Sequence, residues 1–178
     1  MAITAAIENG SQHPLASAIL KKAEAHGLNF KEVVVDEFQS ITGKGVKANV
    51  NQILYYVGSP NLFEETLQNG IEASIKETLT ELQLQGKTVM LLGTEKEILS
   101  LIAVADEVRD SSKEVIRRLN QMGIETVMLT GDNERTAAAI GKQVGVSTIK
   151  ADLLPEDKLN FIKKLRGNYQ SVAMVGDG

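Results

Sequence analysis

The chain has 178 residues, 43% hydrophobic and 24% charged, with a net charge of −4, which suits one large soluble domain or two small ones. The acidic balance and an aromatic content of 4% without tryptophan argue against nucleic acid as a partner. No cysteine is present, which excludes disulfides, thiolate catalysis and thiolate metal sites, and no apolar run nears the roughly 18 residues of a membrane helix.

The opening MAITAAIENG lacks the basic head and long apolar stretch of a signal peptide. Residues 2–9 read as a short helix that stops at Asn9-Gly10. A second helix runs from Pro14 to Ala25, with Leu15, Ile19, Leu20 and Ala23 on its apolar side and His26-Gly27 at its end. Lys31 to Phe38 read as a strand. Gly45 to Gly58 alternate and bend at Asn51-Gln52, the pattern of a hairpin. Ser59-Pro60 opens a helical segment, and Ala73 to Gln85 form a helix closed by Gly86. Two strands follow, Thr88–Gly93 and Ile98–Ala105, turned by Thr94-Glu95-Lys96-Glu97. The first hundred residues therefore predict helices packed on an antiparallel sheet.

The rhythm changes near residue 105. Helices are predicted at Ser111–Met122, Asn133–Val144 and Pro155–Leu165, with apolar strands at Ile124–Leu129 and Ser171–Val175 and a short extended piece at Thr148–Ala151. Alternation of helices with apolar strands points to parallel α/β architecture. Met90, Met128 and Met174 fall in the predicted strands and read as core. The chain opens inside a helix and closes in a loop after a strand, and so reads as a piece of something longer.

Ligands of open α/β sheets bind beyond the carboxyl ends of the strands. Two predicted strands end alike there: Val-Met-Leu-Thr130 runs into Gly131-Asp132, and Val-Ala-Met-Val175 into Gly176-Asp177-Gly178. Two carboxylates converging on that edge suit Mg²⁺ or a phosphoryl group. Thr130 adds a hydroxyl, Asn133 opens a helix whose N-terminus favours phosphate, and Lys158 supplies balancing charge. Gly-Asp pairs are also common turn and capping residues, and no strand-end Asp before them presents itself as a nucleophile; Asp106 precedes a helix with Arg109 and resembles a capping pair.

Pro14 places His13 near an N-cap, where the helix dipole disfavours imidazolium; a neutral imidazole would suit stacking on a purine or accepting a hydrogen bond from it, and on spacing alone the residue also reads as a plain cap. His26 reads as a surface cap. Gly43-Lys44-Gly45-Val46 is neither a dinucleotide fingerprint, which needs a following helix, nor a Walker A loop. It reads as a turn whose glycines let backbone come close to a ligand.

Thr130-Gly131-Asp132, Lys158 and Gly176-Asp177-Gly178 resemble the later motifs of the haloacid-dehalogenase-like phosphorylation domain of P-type ATPases, and Asp106-Glu-Val-Arg109 is similar to their D-x-x-R segment. Ser11-x-His13-Pro14 with Gly43-Lys-Gly45 resembles the nucleotide-binding domain of the heavy-metal-transporting branch. The wording between motifs is most similar to bacterial cadmium/zinc/lead exporters, with copper exporters next. The resemblance implies an α/β chain: an α+β nucleotide-binding domain over residues 1–104 and a partial Rossmann-like phosphorylation domain over 105–178. It implies ATP and magnesium as ligands, with Glu8, Ser11 and His13 at the adenine, and Gly43, Gly45, Val46, Gly58 and Ser59 lining the nucleotide. Thr130, Asp132, Lys158 and Asp177 would serve phosphoryl transfer, Asp177 also holding Mg²⁺. The phosphorylated Asp of the family's D-K-T-G-T loop and the end of its hinge motif are expected outside this chain, which then binds nucleotide without becoming phosphorylated. Its expected partners are the remaining phosphorylation, actuator and transmembrane domains of a bacterial plasma-membrane pump, on the cytoplasmic side. A free-standing phosphatase of the same superfamily and a nucleotide-binding regulatory module are the competing readings.

Overall fold

The computed structural model describes residues 1–11, 14–105 and 107–176. They form two compact units, Met1–Asp106 and Glu107–Gly178.

In the first unit, helices α1 (Ala2–Glu8) and α2 (Pro14–Ala25) precede strands β1 (Val35–Ile41), β2 (Gly45–Val50) and β3 (Ile53–Gly58). Helices α3 (Pro60–Thr66) and α4 (Ala73–Leu84) lead to strands β4 (Thr88–Gly93) and β5 (Ile98–Val104). The five strands lie in sequence order, each antiparallel to the next. Asn51 and Gln52 both take positive φ, 50° and 64°, the geometry that closes a two-residue hairpin.

Helices cover both faces of this sheet. On one, Ala5 and Ile7 of α1 and Ile19 and Ala23 of α2 pack on Val46, Ala48, Val50, Met90 and Leu92. On the other, Leu62, Phe63 and Leu79 of α3 and α4 pack on Val89 and Leu91. Strand β4 is thus buried on both sides, which is why its sequence is a continuous apolar run, whereas β2 shows a strict alternation.

The sheet's two edges differ. Strand β1 carries Asp36 and Glu37 and is bulged between Asp36 and Gln39, with Glu37 at φ 50°. Strand β5, Ile-Leu-Ser-Leu-Ile-Ala-Val, carries no charge. The predicted strand at Lys31–Phe38 starts later than expected. Val33 N–H donates to the Phe30 carbonyl at 3.3 Å, a turn that takes up the first residues of the β-branched run.

The second unit contains α5 (Asp110–Gln121), β6 (Val127–Leu129), α6 (Glu134–Val144), β7 (Thr148–Lys150) and α7 (Pro155–Asn168). Strands β6 and β7 pair in parallel, Met128 opposite Ile149. Gly141 of α6 lies so close to β7 that a Cβ there would stand 2.3 Å from the Ile149 side chain. Asn120 ties the far end together: its amide donates to the Gly145 carbonyl at 2.8 Å, and its oxygen accepts from the hydroxyls of Thr126 at 2.9 Å and Ser147 at 3.3 Å. The Tyr169 hydroxyl donates to Glu125, whose other oxygen accepts from Thr148 at 3.2 Å.

The strand expected at Ser171–Val175 is not formed: residues 171–176 have no regular structure. A strand needs a hydrogen-bonded neighbour, and the parallel pair β6–β7 takes no third strand among the described residues. Met174, expected in the core, is 68% exposed for the same reason. Met90 is buried as expected and Met128 half-buried.

Candidate functional site

In the first unit, Glu8 is the last residue of α1, three positions before Ser11. Glu8 is 2% exposed and is the only buried carboxylate among the described residues. Such burial is rare for a carboxylate. The chain turns directly after it, with Gly10 N–H donating to the Ile7 carbonyl at 3.2 Å and Ser11 N–H to the Glu8 carbonyl at 2.9 Å. His13 lies outside the described residues. A concavity of about 310 Å³ flanks this turn, between Asn9-Gly10 and Phe30, Val33 and Phe38.

The glycine-bearing residues converge at one end of the β2–β3 hairpin. Gly45 pairs with Gly58, and Val46 with Val57. A Cβ on Gly45 would stand 2.2 Å from the Val57 carbonyl oxygen and 2.5 Å from Gly58 Cα. A Cβ on Gly58 would stand 2.3 Å from the Lys44 carbonyl oxygen. These two are glycines because each backbone lies against the other, a reason that sequence reading, which assigned them to a ligand, does not supply. Gly43 is different: it is exposed, at φ 71°, and shapes the turn before β2. Ser59 N–H donates to the Lys44 carbonyl at 2.8 Å, and Lys44 N–H to the Ile41 carbonyl at 2.9 Å. Val46 is 6% exposed and belongs to the core cluster that holds Ala5, Ala6 and Ile7 of α1. The structure thus joins Gly45, Val46, Gly58 and Ser59 in one corner. The concavity beside Gly10 is lined by none of them.

Sequence reading missed Lys44 and Glu65. The Lys44 ammonium contacts both Glu65 carboxylate oxygens, at 2.6 and 2.7 Å. One residue earlier on α3, Glu64 pairs with Lys76 at 2.9 Å and accepts from Ile71 N–H at 3.4 Å. Lys76 holds its carboxyl below the usual glutamate range. No local pattern announces pairs separated by this much chain.

In the second unit the strand-end loop after β6 is braced from several sides. The Thr130 hydroxyl donates to Asp132 Oδ2 at 2.9 Å and accepts from Asp132 N–H at 3.1 Å. Thr130 N–H donates to the Lys150 carbonyl at 3.0 Å, and Asp152 N–H to the Asp132 carbonyl at 2.8 Å. Asn133 caps α6, its side chain accepting from the N–H groups of Arg135 and Thr136 at 3.1 Å each. Thr130 and Asp132 are therefore fixed together at the carboxyl end of β6. Lys158, on the first turns of α7, is half-buried and makes no side-chain hydrogen bond or ion pair among the described residues. A cavity of about 470 Å³ lies between Glu134 and Ala138 of α6 and Ile149–Asp152. Asp106, Asp177 and Gly178 lie outside the described residues. Among the described residues no group of three or more His, Asp or Glu is disposed to hold a metal ion. Magnesium at this end would rest on one or two carboxylates and on phosphate oxygens, its usual mode.

A family model for haloacid dehalogenase-like hydrolases matches residues 1–178. The chain belongs to that family. Among haloacid dehalogenase-like hydrolases it is similar to a probable cadmium-transporting ATPase of Alkalihalophilus pseudofirmus, 59% identical over all of this chain and 25% of the relative. It is 55% identical to a cadmium-transporting ATPase of Staphylococcus aureus, over 99% of this chain and 24% of that one. Among solved structures, a zinc-transporting PIB-type ATPase in its E2.Pi state matches 99% of this chain and 28% of its own, at 34% identity and a TM-score of 0.57. The chain spans about a quarter of the length of the relatives it matches. No helix among the described residues is long and apolar enough to cross a membrane.

Proposed function

We propose that this chain is the ATP-binding region, with part of the phosphorylation region, of a P-type ATPase that exports divalent heavy-metal ions such as cadmium, zinc or lead. Residues 1–104 form the nucleotide-binding domain and 105–178 the partial phosphorylation domain. The observation that carries this reading is the 59% identity to a probable cadmium-transporting ATPase over the whole chain, in a sequence where Ser-x-His-Pro, Gly-x-Gly, Thr-Gly-Asp and Gly-Asp-Gly occur together.

The chemistry follows from the residues. Glu8 accepts a hydrogen bond from the purine amino group, beside Ser11, and His13 orients the ring. Gly43, Gly45, Val46, Gly58 and Ser59 line the nucleotide. Phosphoryl transfer needs positioning and charge stabilisation more than covalent chemistry. Thr130 offers a hydroxyl, Asp132 is held in place by it, and Lys158 offers an ammonium with no side-chain partner among the described residues. Asp177 would hold magnesium, which would supply charge neutralisation for the phosphates. In the parent pump an aspartate on another segment takes the γ-phosphoryl group of ATP, with ADP as the leaving group, and formation and hydrolysis of the aspartyl phosphate drive metal export through the transmembrane domain. Its partners are ATP and the remaining phosphorylation, actuator and membrane domains, and its place is the cytoplasmic face of a bacterial plasma membrane.

Calorimetric titration with ATP and GTP, with and without Mg²⁺, tests this. Wild type binds ATP in preference to GTP, and His13→Gln weakens ATP about tenfold, ~1.4 kcal/mol. A folded wild-type chain that binds neither nucleotide, or both equally and regardless of His13→Gln, overturns it.

A further inference from the structure

The cation between the two glycines has a fixed stem and a replaceable partner. Lys44 N–H is bound to the Ile41 carbonyl and the Lys44 carbonyl to Ser59 N–H, at 2.9 and 2.8 Å. The back-to-back glycines Gly45 and Gly58 leave its backbone no room to shift. The ammonium is another matter. Its side chain is 40% exposed and that of Glu65 61% exposed. Pairs this open to water hold their partners weakly and yield to competing charge. The neighbouring Glu64 makes the contrast. It is bonded both to Lys76 and to a backbone N–H, and so staples α3 to the start of α4. Glu65 has no role of that kind: the two Lys44 contacts are the side-chain bonds it makes among the described residues.

We propose that Lys44 is the phosphate-reading residue of the glycine corner, held in reserve by Glu65, and that the polyphosphate tail of a bound nucleotide displaces the carboxylate and takes the ammonium. This rests on the reading of that corner as a nucleotide site. Glu65 then acts against the ligand twice, by occupying the cation and by repelling the incoming anion. The exchange is non-covalent and leaves the pinned turn unchanged, so discrimination falls on the tail and spares the base.

The test is calorimetric titration of the 178-residue chain with ATP and with adenosine, on wild type, Lys44→Met, Glu65→Gln and the control Lys47→Met. Lys47 is a second cation, on the strand β2 that follows Lys44, opposite Gln39 and Tyr56. Lys44→Met weakens ATP about tenfold and Glu65→Gln tightens it about threefold, the range for one charge-assisted contact. Adenosine changes with neither variant, and Lys47→Met leaves the ATP-to-adenosine ratio as in wild type. Three results overturn the proposal while leaving the nucleotide site standing. One is an ATP-to-adenosine ratio indifferent to Lys44→Met. Another is Glu65→Gln weakening both ligands alike, the mark of a tether. The third is Lys47→Met acting as strongly as Lys44→Met, the mark of net charge alone. Wild type that binds neither ATP nor adenosine removes the site and the proposal together.

Discussion

Replacing Gly45 by alanine puts a methyl group where the partner strand's backbone already is. The new carbon would stand 2.2 Å from the Val57 oxygen, 2.5 Å from Gly58 Cα and 3.0 Å from the Val57 carbonyl carbon. Ordinary contact begins at 3.4 Å, so β3 must retreat by about 1 Å, and no rotamer change can absorb that. Overpacking of this kind costs about 1–3 kcal/mol. The retreat also strains the Ser59-to-Lys44 hydrogen bond, worth about 1 kcal/mol, so a total near 2–4 kcal/mol is expected. Gly27→Ala is the control. Gly27 sits at φ 63° with nothing within 4 Å of an added Cβ, so it carries only the left-handed penalty of about 1 kcal/mol. Hydrogen exchange in stepped urea, followed in peptides covering residues 45–58, reads the loss for this unit alone. The steric reasoning is refuted if Gly45→Ala costs no more than Gly27→Ala, or if protection in β2 and β3 is unchanged.

Two further outcomes concern the second unit. Asn120→Ala removes the amide bond to Gly145 and the acceptor shared by Thr126 and Ser147, and should cost about 1–3 kcal/mol; exchange at residues 126–128 and 146–149 should speed up, and unaltered rates there would refute it. Glu125 raises the Tyr169 phenol above its usual value near 10 by accepting its proton in a hydrogen bond. The neutral phenol is the form the fold favours, so that contribution is present below pH 10 and lost as pH rises through the folded value. Urea midpoints across that window should fall more steeply for wild type than for Tyr169→Phe, and parallel curves would contradict the assignment.

Much of the architecture was legible because its causes are local. Asn51-Gln52 announces a hairpin, Pro14 and Pro155 announce helix starts, and the apolar run Val89–Leu92 announces a strand. What failed depends on neighbours. Ser171–Val175 has the composition of a strand, yet composition supplies no hydrogen-bond partner. The β-branched run after Lys31 cannot reveal that Val33 is spent in a turn. At the site, motif spacing picked out Gly45 and Gly58 for a ligand, while their immediate reason is each other. Lys44–Glu65 and the bonds of Asn120 to Gly145 and Ser147 join residues 21 to 27 positions apart, and nothing in a linear reading weights those pairs above others.

The unequal edges of the five-stranded sheet give it a polarity for assembly. A bulge and two carboxylates roughen β1, and an incoming extended chain would meet broken register and like charge there. Along β5 it would meet seven uncharged residues, four of them isoleucine or leucine. Lateral growth of this sheet would therefore be one-sided: an added strand would meet less opposition beside Ile98–Val104 than beside Val35–Ile41.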